Sequence, residues 1–181
     1  MSNKRVHLVP LERRDIPRFI ELSHDPELVS TMGWRPFGPD EEERFVATMN
    51  VLSVPCAGSG PPIAFGIHVA GVNRTIGYVC LKGIDEARAT SAELGIAIME
   101  KEYRSLGYGT EALRLAIRYA FEELGLDLVA LTVYPYNTRA IRAYEKTGLG
   151  RTRILEKAWQ QPDGDYVDIL LMELRKPADT P

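Results

Sequence analysis

Gly107 and Gly109 stand two residues apart behind a basic residue, Arg104, in the run Glu93-Leu-Gly-Ile-Ala-Ile-Met-Glu-Lys-Glu-Tyr-Arg-Ser-Leu-Gly-Tyr-Gly-Thr110. Neither glycine has a Cβ, so an anionic oxygen can approach the main chain closely. Where a helix opens at such a turn, its first unpaired N–H groups point at the anion with the positive end of the helix dipole. Arg104 adds a permanent, forked positive charge just ahead of it. The turn formed by Arg104, Ser105, Leu106, Gly107, Tyr108, Gly109 and Thr110 therefore has the composition of a diphosphate cradle.

The elements on either side must hold that cradle. Leu113, Ala116, Ile117, Ala120, Phe121 and Leu124 recur at i, i+3, i+4, i+7, i+8 and i+11, which predicts an amphipathic helix, and Gly125 stops it. The apolar, β-branched run at residues 128–133 reads as a strand buried on both faces and parallel to the strand at residues 93–98. The unit is βαβ. Gly107-Tyr-Gly-Thr-Glu-Ala112 also fits the dinucleotide pattern G-x-G-x-x-G/A, but a polar stretch, residues 99–106, separates strand from glycine. The ribose-binding acid of that pattern should close the second strand, whereas Asp127 precedes it.

Arg104-Ser-Leu-Gly107-Tyr-Gly109 instead resembles the coenzyme A motif of the GNAT acetyltransferase superfamily, Arg/Gln-x-x-Gly-x-Gly/Ala at a strand-to-helix turn. A second stretch, Asn137-Thr-Arg-Ala140-Ile-Arg-Ala-Tyr144-Glu145-Lys146-Thr-Gly148-Leu149, is similar to the family signature Asn-x-x-Ala-x-x-x-Tyr-Glu-Lys-x-Gly-Phe, with Leu149 in place of the final Phe. The likeness covers residues 4 to 176 and is nearest the branch that holds ribosomal-protein N-terminal and polyamine acetyltransferases. It implies an α/β fold of the α+β type. That fold is a mixed, mostly antiparallel sheet of about six to seven strands, with one parallel βαβ pair and helices on both faces.

The resemblance also implies the chemistry. An acetyl group would pass from acetyl-CoA to a primary amine, that of a protein N-terminus, a polyamine, an aminoglycoside or another small amine, by direct attack in a ternary complex. The amine, with a reference pKa of about 10.4 if lysine-like, needs help to shed a proton. Glu93 is the candidate base, or else a holder of the ammonium group, because a buried carboxylate on a paired strand is unusual. Tyr144 occupies the position of the family's general acid, which protonates the departing thiolate; packing on a helix's inner face is the competing role. Asn137 is both a helix cap and the family's coenzyme contact; one side chain scarcely serves both, and the coenzyme is favoured. Backbone groups of Ile96, Ala97 and Ile98 would pair with the pantetheine arm as with an added strand. Trp34, Arg35 and Phe37 are candidates to wall the amine pocket. A catalytically silent acyl-CoA sensor of the same fold is the alternative; it would need Arg104, Gly107 and Gly109 but neither Glu93 nor Tyr144.

Composition agrees. The chain has 181 residues, enough for one domain, with residues 177–181 as a frayed tail, and a formal charge of −3 that gives nucleic acid no basic footprint. That charge mildly favours a cationic substrate. A polar start and the lack of a membrane-length apolar run indicate a cytoplasmic protein that avoids membranes, and a homodimer is left open. Cys56 and Cys80 read as reduced thiols, and His7, His24 and His68 share no metal-binding spacing, so no metal is expected.

Before the motif, the pattern predicts a strand at residues 6–10, a helix around Pro17, and a second helix capped by Asp25, opened by Pro26 and closed by Gly33. Asp40 and Glu43 resemble a capping box for a third helix with Phe45, Val46 and Met49 inward. Residues 63–69 and 76–81 form a hairpin around Gly71-Val-Asn73, residues 55–62 an exposed loop, and residues 152–159 and 166–174 a second hairpin around Pro162-Asp-Gly164.

Overall fold

A computed structural model describes residues 5–49, 63–83, 90–161 and 164–177. Seven strands form one sheet in the order β1-β2-β3-β4-β5-β7-β6. They are β1 (Val6–Pro10), β2 (Ile63–Val69), β3 (Thr75–Lys82), β4 (Ser91–Ile98), β5 (Leu128–Val133), β6 (Gly150–Gln160) and β7 (Tyr166–Arg175). Only β4 and β5 pair in parallel; every other neighbour is antiparallel. The helices are α1 (Ile16–Leu22), α2 (Pro26–Met32), α3 (Glu42–Met49), α4 (Tyr108–Glu122) and α5 (Thr138–Glu145).

Two apolar cores sandwich the sheet. Ile16, Phe19, Leu28, Trp34, Phe37 and Phe45 of the α1–α3 segment close over Tyr78, Cys80 and Ala97. On the other face Leu113, Ala116, Ile117, Ala120 and Phe121 of α4 pack with Val79, Leu81, Leu94, Val129 and Leu131, and Ile141 of α5 joins them. Strand alternation sorts the residues: Tyr78, Cys80 and Lys82 of β3 stand opposite Ala97, Gly95 and Glu93 of β4. That row faces the α1–α3 side.

Local signals account for most boundaries. Asp25 caps α2 by accepting hydrogen bonds from the N–H groups of Glu27 and Leu28, Pro26 occupies its first turn, and Gly33 closes it at φ +65°. The hairpin of β2 and β3 forms around Gly71 as the turn chemistry requires. At α3 the expectation is corrected: the loop before it is closed by Glu41, whose carboxylate accepts from Gly38 N–H at 2.7 Å, while Glu43 pairs with Arg13 at 2.8 Å. Glu41, the second acidic residue of the run, competes better because the chain turns at Gly38, three residues before it. The Met49 side chain, residues 55–62 with Cys56, Pro162-Asp163 and residues 178–181 lie outside the described residues. No described helix is long and apolar enough to cross a membrane.

Candidate active site

The β4–β5 ladder runs only from Ser91↔Leu128 to Glu93↔Ala130. Beyond it β4 continues to Ile98 and β5 to Val133, each still held by its outer neighbour, β3 or β7. The strands therefore part, and a cleft opens between them. Its walls include Ile96, Ala97 and Ile98 from β4, Leu113 from α4, and Ala140 and Tyr144 from α5. Backbone groups on an internal strand edge are what an extended amide-bearing ligand requires.

The cleft ends at the glycine turn. Gly107 is the N-cap of α4 at φ +88°, and no side chain caps that helix. A side chain at Gly107 would meet the Arg5 guanidinium at 3.3 Å and would sit in a conformation that L residues rarely adopt. Ser105, Gly107, Gly109 and Thr110 line the cleft, so an uncapped helix N-terminus opens into it. The residues present fit a coenzyme diphosphate. Leu106 and Tyr108 are absent from the lining: the Leu106 carbonyl accepts from Arg5, and the Tyr108 ring lies under the Arg5 guanidinium, 4.8 Å from centroid to Cζ.

Arg104 is placed differently from the expectation. Its side chain is 5% exposed, and it donates to the carbonyls of Ile98 (2.9 Å) and Met99 (2.7 Å), to Asp25 Oδ1 (3.2 Å) and to Glu27 Oε2 (3.0 Å). Although Arg104 borders the cleft, its guanidinium ties α2 to the end of β4 and is matched by two carboxylates, leaving little for a phosphate. Burial alone would raise the Asp25 and Glu27 carboxyls, but the Arg104 hydrogen bonds and charge, with Arg139 at Glu27, hold both below their ordinary values. The missed cation of this region is Arg139, which lines the cleft and pairs with Glu27.

A second cavity of about 550 Å³, a size that suits a small molecule, opens on the α1–α3 side. Glu93, Lys82, Cys80, Tyr134, Trp34 and Arg35 contribute to its walls. Tyr144, Asn137 and Ile96 belong to both cavities and mark the junction. Tyr144 is half-buried, and burial pushes its phenol up to about 12. Asn137 Oδ1 accepts from Ala140 N–H at 3.2 Å and caps α5, which leaves its amide N–H₂ as the end available to a ligand. Cap and contact are thus compatible.

Glu93 is not buried. Its side chain is 52% exposed, with Lys82 Nζ 3.3 Å away across the ladder, because the end of β3 and the ladder limit of β4 lie at the cavity rim. Sequence reading missed Lys82, although its position two residues after Cys80 on a strand signalled a shared face. Phe37 also needs correction: it is 0% exposed, edge-on to Phe45 and Trp34, and absent from the cavity wall. Its ring supports Arg44, whose Cζ sits 4.0 Å above it. Trp34 lines the cavity while its indole N–H is held by the Ser23 carbonyl at 3.2 Å. Trp159, brought in by an irregular stretch of β6, was not anticipated; its register slip carries no sequence signal.

Comparison with known proteins identifies the assembly. Residues 5–150 match the family model described as an acetyltransferase (GNAT) domain. The chain belongs to the GNAT acetyltransferase family. Among curated relatives, the probable N-acetyltransferase YjcK of Bacillus subtilis is 37% identical over 93 residues, 51% of each protein, so the chain spans about half of that relative's length. The uncharacterized N-acetyltransferase p20 of Bacillus licheniformis is 25% identical over 97% of this chain and 96% of its own. Among solved structures, a spermidine N-acetyltransferase of Vibrio cholerae in complex with CoA and spermine superposes with a TM-score of 0.78 at 25% identity, covering 96% of both chains. The mixed seven-stranded sheet with one parallel pair is the GNAT fold.

Proposed function

We propose that this GNAT protein, acting as one domain, transfers an acetyl group from acetyl-CoA to the primary amine of a small acceptor. The observation that carries the reading is the meeting of two cavities at Tyr144, one ending at the uncapped N-terminus of α4 and the other holding Glu93. Acetyl-CoA supplies the activated acyl group. Gly107, Gly109 and the α4 N–H groups bind the diphosphate, and the free edge of Ile96–Ile98 aligns the arm. Glu93, directly or through water, accepts a proton from the ammonium group, so the nitrogen lone pair can form the N–C bond as the C–S bond breaks. Tyr144 gives its hydroxyl proton to the departing sulfur, and the second proton, which the nitrogen sheds as it becomes an amide, returns to Tyr144 through solvent while Glu93 releases its own to water.

A covalent acyl-cysteine route is disfavoured at Cys80. Burial pushes that thiol up to about 11, so near neutral pH it is not the thiolate that attacks. The relative solved with spermine supports a small-amine acceptor, and the geometry above is compatible with one. The decisive experiment measures thiol release from acetyl-CoA with a panel of amines, on the wild type and on Tyr144→Phe. The variant should keep coenzyme affinity and melting temperature while kcat falls by roughly 10²–10⁴-fold. Turnover within about twofold of wild type would remove Tyr144 as the acid.

A further inference from the structure

Counted over the described residues, the acceptor cavity carries a charge opposite in sign to the protein's. The chain as a whole is at −3. Yet the described charged residues in the wall are Arg35, Arg44, Lys82 and Glu93. Lys82 and Glu93 neutralise one another at 3.3 Å. Arg35 and Arg44 share a single partner, Glu41, at 2.9 and 2.6 Å. With Glu41 included, three cations face two carboxylates, a net of one positive charge. Glu41 is not a hidden reserve of protons, since hydrogen bonds from Arg44 and Gly38 N–H hold its carboxyl at about 2.

The two arginines are also presented for use. Arg44 is stacked on the Phe37 ring, and its Nη2 donates to the Pro36 carbonyl at 3.0 Å and to Glu41 Oε2 at 2.8 Å, which fixes its plane and leaves Nη1 as the end for a ligand. Arg35 is 62% exposed and donates one of its five N–H groups to Glu41, leaving most of its fork at the cavity. A planar fork is suited to a carboxylate. A polyamine, with several ammonium groups, would instead need several carboxylates, and Glu93 is the one carboxylate among the described wall residues. A single ammonium is well served by Glu93 and by the rings of Trp34, Tyr134 and Trp159.

We propose that the preferred acceptor is a primary amine that also carries a carboxylate, held by Arg35 and Arg44 while the amine points to Glu93 and Tyr144. This rests on the acetyltransferase reading above and names its substrate class. The test uses the full chain with acetyl-CoA and three sets of acceptors. They are straight-chain amino acids from glycine to aminohexanoate, the corresponding carboxamides, and spermidine. At least one amino acid should exceed its carboxamide by about tenfold or more in kcat/KM, the scale of one charge-assisted hydrogen-bond pair, and should exceed spermidine as well. Arg35→Ala, on an exposed side chain, should lower kcat/KM for the carboxylates about tenfold more than for the carboxamides, mainly through KM. A calorimetric titration with the N-acetylated product should weaken in parallel.

Equal rates for carboxylate and carboxamide, a preference for spermidine, or an unchanged ratio in Arg35→Ala would each overturn the proposal while leaving an acetyltransferase. Acetyl-CoA binding with no turnover of any carboxylate-bearing amine would overturn it too. Absence of both acetyl-CoA binding and thiol release would overturn the underlying reading, and the proposal with it.

Discussion

In the proposed mechanism the Glu93 carboxylate would serve two cations in turn, Lys82 Nζ, which lies 3.3 Å away, and an incoming ammonium. Glu93→Gln should therefore lower kcat/KM most near neutral pH and recover in part as alkali deprotonates the amine unaided; a loss independent of pH would point to positioning instead. Tyr144 has the complementary profile. Its phenol, pushed by burial to about 12, stays protonated where an ordinary tyrosine begins to ionise, so kcat should hold to about pH 10 rather than decline from pH 9. A pH–rate series on the best acceptor checks both. Arg104→Ala should destabilise by about 3 kcal/mol in denaturant melts, because removing it leaves Asp25 without its cation and Glu27 with Arg139 alone. The sign with pH is defined: both carboxyls sit below their unfolded values, so their contribution is complete above about pH 5 and is lost as acid protonates them; the variant's acid limb should be shallower. Motif spacing pointed to Arg104 for a phosphate, yet spacing carries no information on where Asp25 and Glu27, far away in the chain, would fold.

Helix α4 and the turn before it were legible because their signals are local: an apolar 3.6-residue period, a glycine at each end, and a polar stretch ahead of the first glycine. The strands β1 and β5 coincide with the predicted runs, and both hairpins form. The insertion of β7 between β5 and β6, and the early end of the β4–β5 ladder, depend on pairing between distant segments and leave no periodic trace. Two substitutions test the turns. Gly107→Glu should abolish acetyl-CoA binding by calorimetry with the circular dichroism spectrum retained, since its nearest neighbour is the flexible end of Arg5 and the cost of the left-handed backbone is about 1–2 kcal/mol. Gly33→Ala is harsher. The new Cβ would lie 1.8 Å from the Tyr134 hydroxyl, at φ +65°, so the ring must move and the left-handed backbone adds about 1–2 kcal/mol. A lower melting temperature with a raised KM for the acceptor is expected, because Tyr134 lines that cavity.

At the scale of the molecule, the sheet is two plates, β1 to β4 and β5 with β7 and β6, joined by three residues of ladder and bridged by α4. Coenzyme binding across the cleft should stiffen that seam. Hydrogen exchange at residues 94–98 should slow, and the melting temperature should rise with acetyl-CoA concentration, by the equivalent of about 2.7 kcal/mol at a hundredfold excess over Kd. The seam also has a meaning for life in a crowded solution. An open strand edge invites other chains to add themselves, and β6, one of the sheet's two outermost strands, answers with charge and irregularity: Arg151, Arg153, Glu156 and Lys157 along it, and two register slips. The edge that β4 turns toward the cleft has no such guard. It is instead recessed, walled by Leu113 of α4 and by Ala140 and Tyr144 of α5, so another protein's strand would have to displace those side chains to reach it. The molecule can thus keep a template for pairing permanently on offer without nucleating aggregates, even between turnovers when nothing fills it.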